Sequence, residues 1–406
     1  MSAISPTPSP FKAIYLPAGI LAAATIAVWI GRPLPASLSG LRTYGPYAVL
    51  GAALVLAWWF NRGRSFVLAA SLLGAVAAYD YLHLKAVYTA LVVLVPLNVL
   101  LATVRPERGA RYRAAYGWLL LLLLEAVLLV LISGAPHVHA ALDNWALRSP
   151  PIPLVGRLMF AAAFAAAIWR AWPEYKPLQV GNVGALAAFF IGAAWAAAPG
   201  PYAAFVATAG VILTAALLHE SHQLAFHDQL TGLPGRRALE ERLRSLEGGY
   251  AIAMVDVDHF KKFNDTHGHA IGDQVLKLVG GRLGQIAGGG IAYRYGGEEF
   301  CVLFPGASLD EAERELESLR DAIEKYRMAV RGEDRPKKAE EGAKLRGAAA
   351  PEKLLSVTVS IGVAAPSETE TLATPHQVVR AADEALYRAK QGGRNRVESV
   401  RRVKAA

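Results

Sequence analysis

The chain has 406 residues, of which 54% are hydrophobic and 18% are charged. An average soluble domain has about 45–50% apolar and about 25% charged residues, so a disordered chain, a fibrous repeat and an ordinary soluble enzyme are excluded. The single cysteine, Cys301, excludes a disulfide scaffold and a cysteine-based zinc site.

The net charge of +9 lies entirely in the hydrophobic half of the chain. Residues 1–219 contain 14 basic and 5 acidic residues, whereas residues 220–406 contain 28 of each. Lys and Arg placed between long apolar segments are typical of a membrane protein, whose orientation they set. This distribution argues against a nucleic-acid partner.

Eight segments of the first half are long and apolar enough to predict membrane-spanning helices. They are 14–31, 45–60, 65–82, 86–104, 115–133, 153–171, 180–198 and 202–219. Eight spans place both ends on one side, which then has nine basic residues against four on the other. The positive-inside rule therefore predicts a protein of the inner (cell) membrane with its C-terminal half in the cytoplasm.

Some polar residues interrupt this apolar pattern. Glu125 and Arg157 lie within predicted spans, where charges usually face a bundle interior or a cavity. They could form a ligand or proton sensor, or contacts between helices that fix the packing. His137 and His139 lie in the predicted loop 134–151 and could bind a metal or be ordinary surface residues.

The composition changes abruptly after residue 219, which divides the chain into four parts. They are a membrane domain over 1–219, a helical linker over 220–227, a soluble domain over 228–400 and a tail over 401–406. The linker contains no Gly or Pro, so the last membrane helix is predicted to continue into it. Pro199-Gly200-Pro201 predicts a tight turn before that helix.

The soluble half alternates helical and strand patterns. Helices are predicted over 235–246, 271–285, 309–330 and 375–390, and strands over 250–257, 291–295, 298–304, 355–364 and 396–400. Gly296-Gly297 predicts a two-residue hairpin turn, and the charged segment 331–353 predicts a mobile loop. The order β-α-ββ-α-β predicts an α/β, palm-like domain with a ferredoxin-like core, preceded by an α-helical transmembrane bundle.

Acidic residues lie at the end of one predicted strand and directly after the predicted hairpin turn. Asp256 and Asp258 end the strand 250–257, and Glu298 and Glu299 follow Gly296-Gly297. Because strand side chains alternate, Asp256 and one glutamate can face the same side. Two carboxylates with open space between them suit Mg²⁺ (or Mn²⁺) together with substrate phosphates. The glycine pair lets a nucleotide approach the backbone closely.

Basic and amide side chains complete this pattern. Lys261, Lys390 and Arg394 can supply positive charge to a triphosphate. Asn264 and Asp273 offer the amide and the carboxylate that reading a guanine edge requires. Together these groups indicate phosphoryl or nucleotidyl transfer.

The hexapeptide Tyr295-Gly-Gly-Glu-Glu-Phe300 resembles the signature of GGDEF-domain diguanylate cyclases. The other motifs of that family occur in the family's order along the chain, three before the hexapeptide and three after it. They lie at 227–234, 256–265, 268–273, 357–363, 382–390 and 393–395. The resemblance covers about residues 223–400, and residues 1–219 contribute nothing to it. It implies an enzyme that condenses two GTP molecules into cyclic di-GMP and two pyrophosphates, and the predicted spans of residues 1–219 would make that enzyme membrane-bound.

The resemblance also implies a role for each acidic residue of the signature. Asp256 and Glu298 would coordinate Mg²⁺ with the backbone carbonyl of Val257, and Glu299 would assist at the metal. Glu298 would also accept the proton of the attacking 3′-hydroxyl.

The substrate-binding residues follow in the same way. Asn264 and Asp273 would recognise guanine, while Lys261, Lys390 and Arg394 would hold phosphates beside the Gly296-Gly297 turn. Because each domain binds one GTP, the family's reaction implies a homodimer.

Two positions depart from the family pattern. Gly235 stands where the early motif often has Asn. Residues 287–290, Ala-Gly-Gly-Gly, stand where many members have an Arg-x-x-Asp product-binding site, so no such inhibition site is expected. Two alternatives remain open, which are a catalytically silent GTP-binding receptor and a transporter with an enzymatic tail.

Overall fold

The computed structural model describes residues 10–31, 39–82, 84–147, 151–196, 199–330, 353–366 and 374–400. The chain divides into two compact units, with the boundary after Gln223. The predicted loop 331–353 and the tail 401–406 lie outside the described residues, apart from Lys353.

The described part of the N-terminal unit is entirely helical. Its helices are α1 (Pro10–Ile30), α2 (Ser39–Trp59), α3 (Gly63–Leu82), α4 (Lys85–Val104), α5 (Ala114–Ser133), α6 (Pro136–Trp145), α7 (Leu154–Ala171), α8 (Pro177–Ala194) and α9 (Pro199–Phe226). Each of the eight predicted spans overlaps one long helix, and seven of these eight helices are long and apolar enough to cross a membrane. The exception is α2, whose first turns contain the polar residues Arg42, Thr43 and Tyr44. The eighth span and the orientation therefore stay predictions.

Two local predictions in this unit are wrong. Residues 199–201 do not form a separate tight turn, because Pro is tolerated in the first turn of a helix and α9 begins at Pro199. His137 and His139 lie on α6 and not in a loop. Among the described residues, no group of three or more His, Cys, Asp or Glu side chains could hold a metal ion.

Polar contacts join the helices of this unit. Asn98, which is fully buried on α4, donates hydrogen bonds to Glu125 Oε2 on α5 at 2.8 Å and to Ser71 Oγ on α3 at 3.2 Å. Glu220 on α9 forms an ion pair with Arg62 at 3.0 Å and accepts a hydrogen bond from the backbone of Leu178. The bundle interior thus contains polar residues that form hydrogen bonds and an ion pair across helices.

The C-terminal unit contains helices on both faces of a sheet. Its elements are α10 (Arg236–Arg244), β1 (Tyr250–Val257), α11 (Phe260–His267), α12 (His269–Leu283), β2 (Ile291–Arg294), β3 (Glu299–Pro305), α13 (Leu309–Glu324), β4 (Met328–Val330), β5 (Lys353–Leu355), β6 (Val359–Ala364), α14 (Pro375–Gln391) and β7 (Val397–Ser399). The main sheet has the order β2-β3-β1-β6-β7, and β1 pairs antiparallel with β3 and with β6. This arrangement agrees with the predicted α/β architecture.

The central strand β1 is buried on both faces. Ala251, Ala253 and Val255 face one apolar core, while Ile252 and Met254 face a second. Because helices cover both faces of the sheet, the strand is a continuous apolar segment until Asp256. The carboxyl end of this strand therefore places two acidic residues, Asp256 and Asp258, in buried positions.

Four details differ from the sequence prediction. The short helix α11 was not predicted, because eight residues give little periodicity. Helix α13 ends at Glu324, and residues 328–330 form β4, which pairs with β5. The strand predicted over 355–364 is split into β5 and β6. The turn after β2 is not a two-residue turn, since five residues separate the paired residues Arg294 and Phe300.

Candidate active site

The sheet register brings the predicted acidic residues together. Asp256 near the end of β1 is directly opposite Glu299 at the start of β3. The backbone N–H of Val257 donates to the carbonyl of Glu298 at 3.3 Å. The expectation that these carboxylates lie on neighbouring strands is therefore confirmed.

Asp256 is buried, with 6% of its surface exposed, and its charge is partly compensated by a cation. Lys390 Nζ on α14 lies 2.9 Å from Asp256 Oδ2. Burial raises the pKa of Asp256, and this effect outweighs the opposing influence of Lys390. Burial, and next the negative charge of Asp256, raise the pKa of Glu298. A buried carboxylate that raises the pKa of a second one in this way favours a further cation between the two.

The donor set fits a hard divalent ion. The three carboxylates Asp256, Glu298 and Glu299 do not alone form a group that could hold a metal ion. They offer oxygens beside the backbone carbonyl of Val257 at the same end of β1, to which substrate oxygens could be added. Mg²⁺ prefers such oxygens and usually keeps water or substrate phosphates as further ligands. An all-protein cage is therefore not required for Mg²⁺ to bind at these residues.

Asp258 has a different environment from Asp256. Its carboxylate accepts hydrogen bonds from Thr358 Oγ1 at 2.7 Å, Ser360 Oγ at 2.6 Å and the backbone N–H of Asn395 at 3.1 Å. Arg394 and Asn395 have left-handed backbone conformations, with φ of 63° and 45°. Asp258 thus fixes the turn that bears Arg394, a role that the sequence did not reveal.

The predicted base-reading residues lie on α11 and α12. Asn264 packs against Gly272, where an added Cβ would collide with its side-chain oxygen. That oxygen is buried and has no hydrogen-bond partner among the described residues. An unpaired amide oxygen of this kind is available to a ligand donor. Asp273 follows Gly272 and is exposed.

The predicted phosphate-binding residues divide into two groups. Lys390 contacts Asp256 directly, and the positive charge of Arg394 also acts on that carboxylate. Lys261, in contrast, is exposed on α11 and forms no ion pair within the described residues. The structure therefore brings Lys390 and Arg394 to the carboxylates and leaves Lys261 at the rim.

The loop Tyr295–Glu298 is held by an arginine that sequence reasoning missed. Arg294 donates to the carbonyls of Gly297 at 2.7 Å and Gly296 at 3.3 Å, and it forms an ion pair with Asp228 at 2.7 Å. Asp228 Oδ1 also accepts from the backbone and the hydroxyl of Thr231. The only sign of this role in the sequence is that Arg294 comes directly before the hexapeptide.

The glycine pair leaves the loop open on its outer side. A Cβ on Gly297 would meet nothing within 4 Å, whereas one on Gly296 would lie 3.2 Å from Glu299 Oε2. The main chain of Gly297 is therefore accessible to a substrate.

Comparison with known proteins gives a consistent assignment for the C-terminal unit. The family described as diguanylate cyclase, GGDEF domain, matches residues 225–345 and 343–396. Diguanylate cyclase DgcP of Pseudomonas aeruginosa is 39% identical over 189 residues, which are 45% of this chain and 25% of that protein. Response regulator PleD of Caulobacter vibrioides is 39% identical over 188 residues, or 44% of this chain and 37% of that protein.

A solved structure is similar to the same part of the chain. The coiled coil and GGDEF domain of DgcB from Caulobacter crescentus, in complex with c-di-GMP, is 34% identical and has a TM-score of 0.38. The match covers 45% of this chain and 90% of the DgcB chain. The chain spans less than half the length of the curated relatives it matches. The C-terminal unit, over residues 225–396, is therefore a GGDEF domain of the diguanylate cyclase type.

Proposed function

We propose that the protein is a membrane-bound diguanylate cyclase that converts two GTP molecules into cyclic di-GMP and two pyrophosphates. The observation that carries this proposal is the buried Asp256 opposite Glu299, with Glu298 beside it and Lys390 at 2.9 Å. These groups combine metal-binding oxygens with a cation at the end of one strand. Family membership supports the same chemistry.

The acidic residues would hold the divalent ion. Asp256, Glu298 and the carbonyl of Val257 would coordinate Mg²⁺ (or Mn²⁺), and Glu299 would assist. Such an ion supplies charge neutralisation at the phosphate oxygens. Glu298 would accept the proton from the 3′-hydroxyl, because a carboxylate beside the nucleophile can act as a general base.

The remaining site residues would bind GTP. Lys390, Arg394 and Lys261 would contact phosphates, and Asn264 with Asp273 would read guanine. The buried, unpaired oxygen of Asn264 supports this role because a guanine N–H could donate to it. The accessible backbone of Gly296 and Gly297 would border the nucleotide.

The reaction would require a homodimer. The 3′-oxygen of each GTP would attack the α-phosphorus of the other and give up its proton to Glu298, which forms a new phosphodiester bond. The bond between that phosphorus and the oxygen bridging the α- and β-phosphates would break, and pyrophosphate would leave with its electrons. One domain holds one nucleotide, so two domains must face each other. Orienting both reactants in this way is a major source of rate enhancement.

The helical N-terminal unit would anchor the enzyme and control it. Its seven long apolar helices support association with the inner membrane. The larger number of basic residues on one side of the predicted spans supports placing the catalytic unit in the cytoplasm. Helix α9 is continuous from Pro199 to Phe226. Only His227 lies between the end of this helix and Asp228. This continuity supports direct transmission of a signal to the catalytic unit.

The purified full chain, incubated with GTP and Mg²⁺, tests the proposal. Mass spectrometry should identify cyclic di-GMP and pyrophosphate in a ratio of about one to two, as the proposed stoichiometry requires. Binding of GTP without turnover would instead support the catalytically silent receptor. Omitting Mg²⁺ and adding a chelator provides the matched control.

A further inference from the structure

A basic cavity of about 280 Å³ lies in the N-terminal unit, where the connection between α4 and α5 meets the start of α3. Its charged and aromatic lining residues are Arg64, Arg105, Arg108 and Trp118. None of them belongs to the proposed active site, which lies in the other unit. The cavity therefore needs a separate explanation.

Arg64 is committed to structural contacts within the unit. Its guanidinium donates to the carbonyls of Ala102 at 3.0 Å and Arg105 at 2.7 Å, and it forms an ion pair with Glu107 at 3.2 Å. Glu107 also accepts a hydrogen bond from the backbone N–H of Arg64. Arg64 thus fixes the cavity wall, and Glu107 compensates its charge.

Arg105 and Arg108 are different, because both are exposed and no carboxylate among the described residues forms an ion pair with either. The guanidinium of Arg105 lies 5.3 Å from the ring centre of Trp118, and that of Arg108 lies 5.8 Å from the ring centre of Tyr112. Stacking on a ring fixes a guanidinium and leaves its edge N–H groups available. Two such groups in one cavity match a phosphate.

The helix that bears Trp118 indicates where that phosphate comes from. Leu119, Leu120, Leu123 and Leu124 follow Trp118 on α5, and between 47% and 61% of each residue is exposed. Helix α5 is one of the seven helices that are apolar enough to span a membrane. Trp at the end of such a helix is typical of the membrane interface, with apolar residues in the acyl region.

We propose that this cavity binds the phosphate of an anionic phospholipid through Arg105 and Arg108, with an acyl chain along the exposed leucines of α5. Basic pockets between membrane helices are suited to lipid head groups because they combine charge with nearby apolar surface. A soluble phosphate would use the two arginines but would gain nothing from the leucines. The proposal does not depend on the cyclase activity.

Native mass spectrometry of the detergent-purified full chain tests this inference. The protein is mixed with equal amounts of dioleoylphosphatidylglycerol and dioleoylphosphatidylcholine, and the lipid that remains bound is identified. We expect selective retention of one phosphatidylglycerol. Arg105→Gln and Arg108→Gln should each lower its affinity roughly tenfold, because each removes a charge-assisted contact.

Arg113→Gln is the matched control, since Arg113 is an exposed arginine of the same connection that does not line the cavity. It should retain the lipid within about twofold, as expected for a surface charge. Equal retention of the two lipids would overturn the proposal, and this result requires no variant. So would an equal loss in all three variants, or displacement of phosphatidylglycerol by millimolar inorganic phosphate, which would identify a site for free phosphate.

Discussion

Arg294 and Asp228, which are 66 residues apart in sequence, form an ion pair at 2.7 Å. The same guanidinium holds the carbonyls of Gly296 and Gly297. Asp228 lies two residues after the end of α9 at Phe226. The pair therefore connects the start of the catalytic unit to the loop that precedes Glu298.

Replacing Arg294 by Gln should lower kcat roughly tenfold, because the loop would lose charge-assisted hydrogen bonds that fix its backbone. The KM for GTP should change less, since within the described part of the chain the hydrogen bonds of the Arg294 side chain go to Gly296, Gly297 and Asp228 and not to the proposed guanine-reading residues. Steady-state cyclic di-GMP formation measures both constants. Arg380→Gln is the control, because Arg380 is an exposed arginine that pairs only with Glu384 on its own helix. An unchanged kcat in Arg294→Gln would contradict the positioning role.

The same ion pair predicts a pH dependence. Burial would raise the pKa of Asp228, but hydrogen bonds from Arg294 and Thr231 outweigh burial and hold the pKa below its usual value. A lowered pKa stabilises the fold above the ordinary Asp pKa of about 3.9, and this stability is lost as pH falls through the lowered value. Hydrogen exchange of the peptide containing residues 295–299, corrected for intrinsic rates, should therefore increase below about pH 4.

Asp228→Asn provides the comparison for this pH effect. Its loop should exchange faster than wild type at neutral pH and should show no further increase on acidification. A wild-type loop whose protection stays constant down to pH 2 would show that another interaction holds it.

Gly272→Ala should raise the KM for GTP roughly tenfold, because the new methyl group would displace the side chain of Asn264 and weaken one base contact. The kcat at saturating GTP should fall less. Gly281→Ala on the same helix is the control, since a Cβ there meets nothing within 4 Å. Similar KM values for the two variants would remove Asn264 from guanine recognition.

Cyclic di-GMP at micromolar concentrations should not inhibit noncompetitively. The Arg-x-x-Asp positions are occupied by Ala287-Gly288-Gly289-Gly290, which offer only backbone groups. Initial rates measured over a range of added product, with pyrophosphate removed, test this expectation. Strong noncompetitive inhibition would show that a product site exists elsewhere on the protein.

The sequence predicted some parts of this structure better than others, for physical reasons. Strand β1 was predicted with the correct bounds because its eight buried residues end at charged Asp258. Strand alternation predicted that Asp256 would face the same side as Glu298 or Glu299, and the register pairs it with Glu299. The contacts of Arg294 and Asp258 did not, because they join residues up to 137 positions apart and local patterns contain no information on them. Strand β4 was missed because it depends on pairing with β5.

The central claim is that Glu298 is a metal-binding and proton-accepting residue of a cyclase. Glu298→Gln keeps the side-chain volume and removes the charge, so cyclic di-GMP formation from GTP and Mg²⁺ should fall at least roughly a hundredfold. Glu384→Gln, which alters an exposed glutamate on α14, is the control and should stay within about twofold of wild type. Formation of cyclic di-GMP by Glu298→Gln at a rate within about threefold of wild type would contradict the account, because so small a change does not correspond to the loss of a catalytic charge.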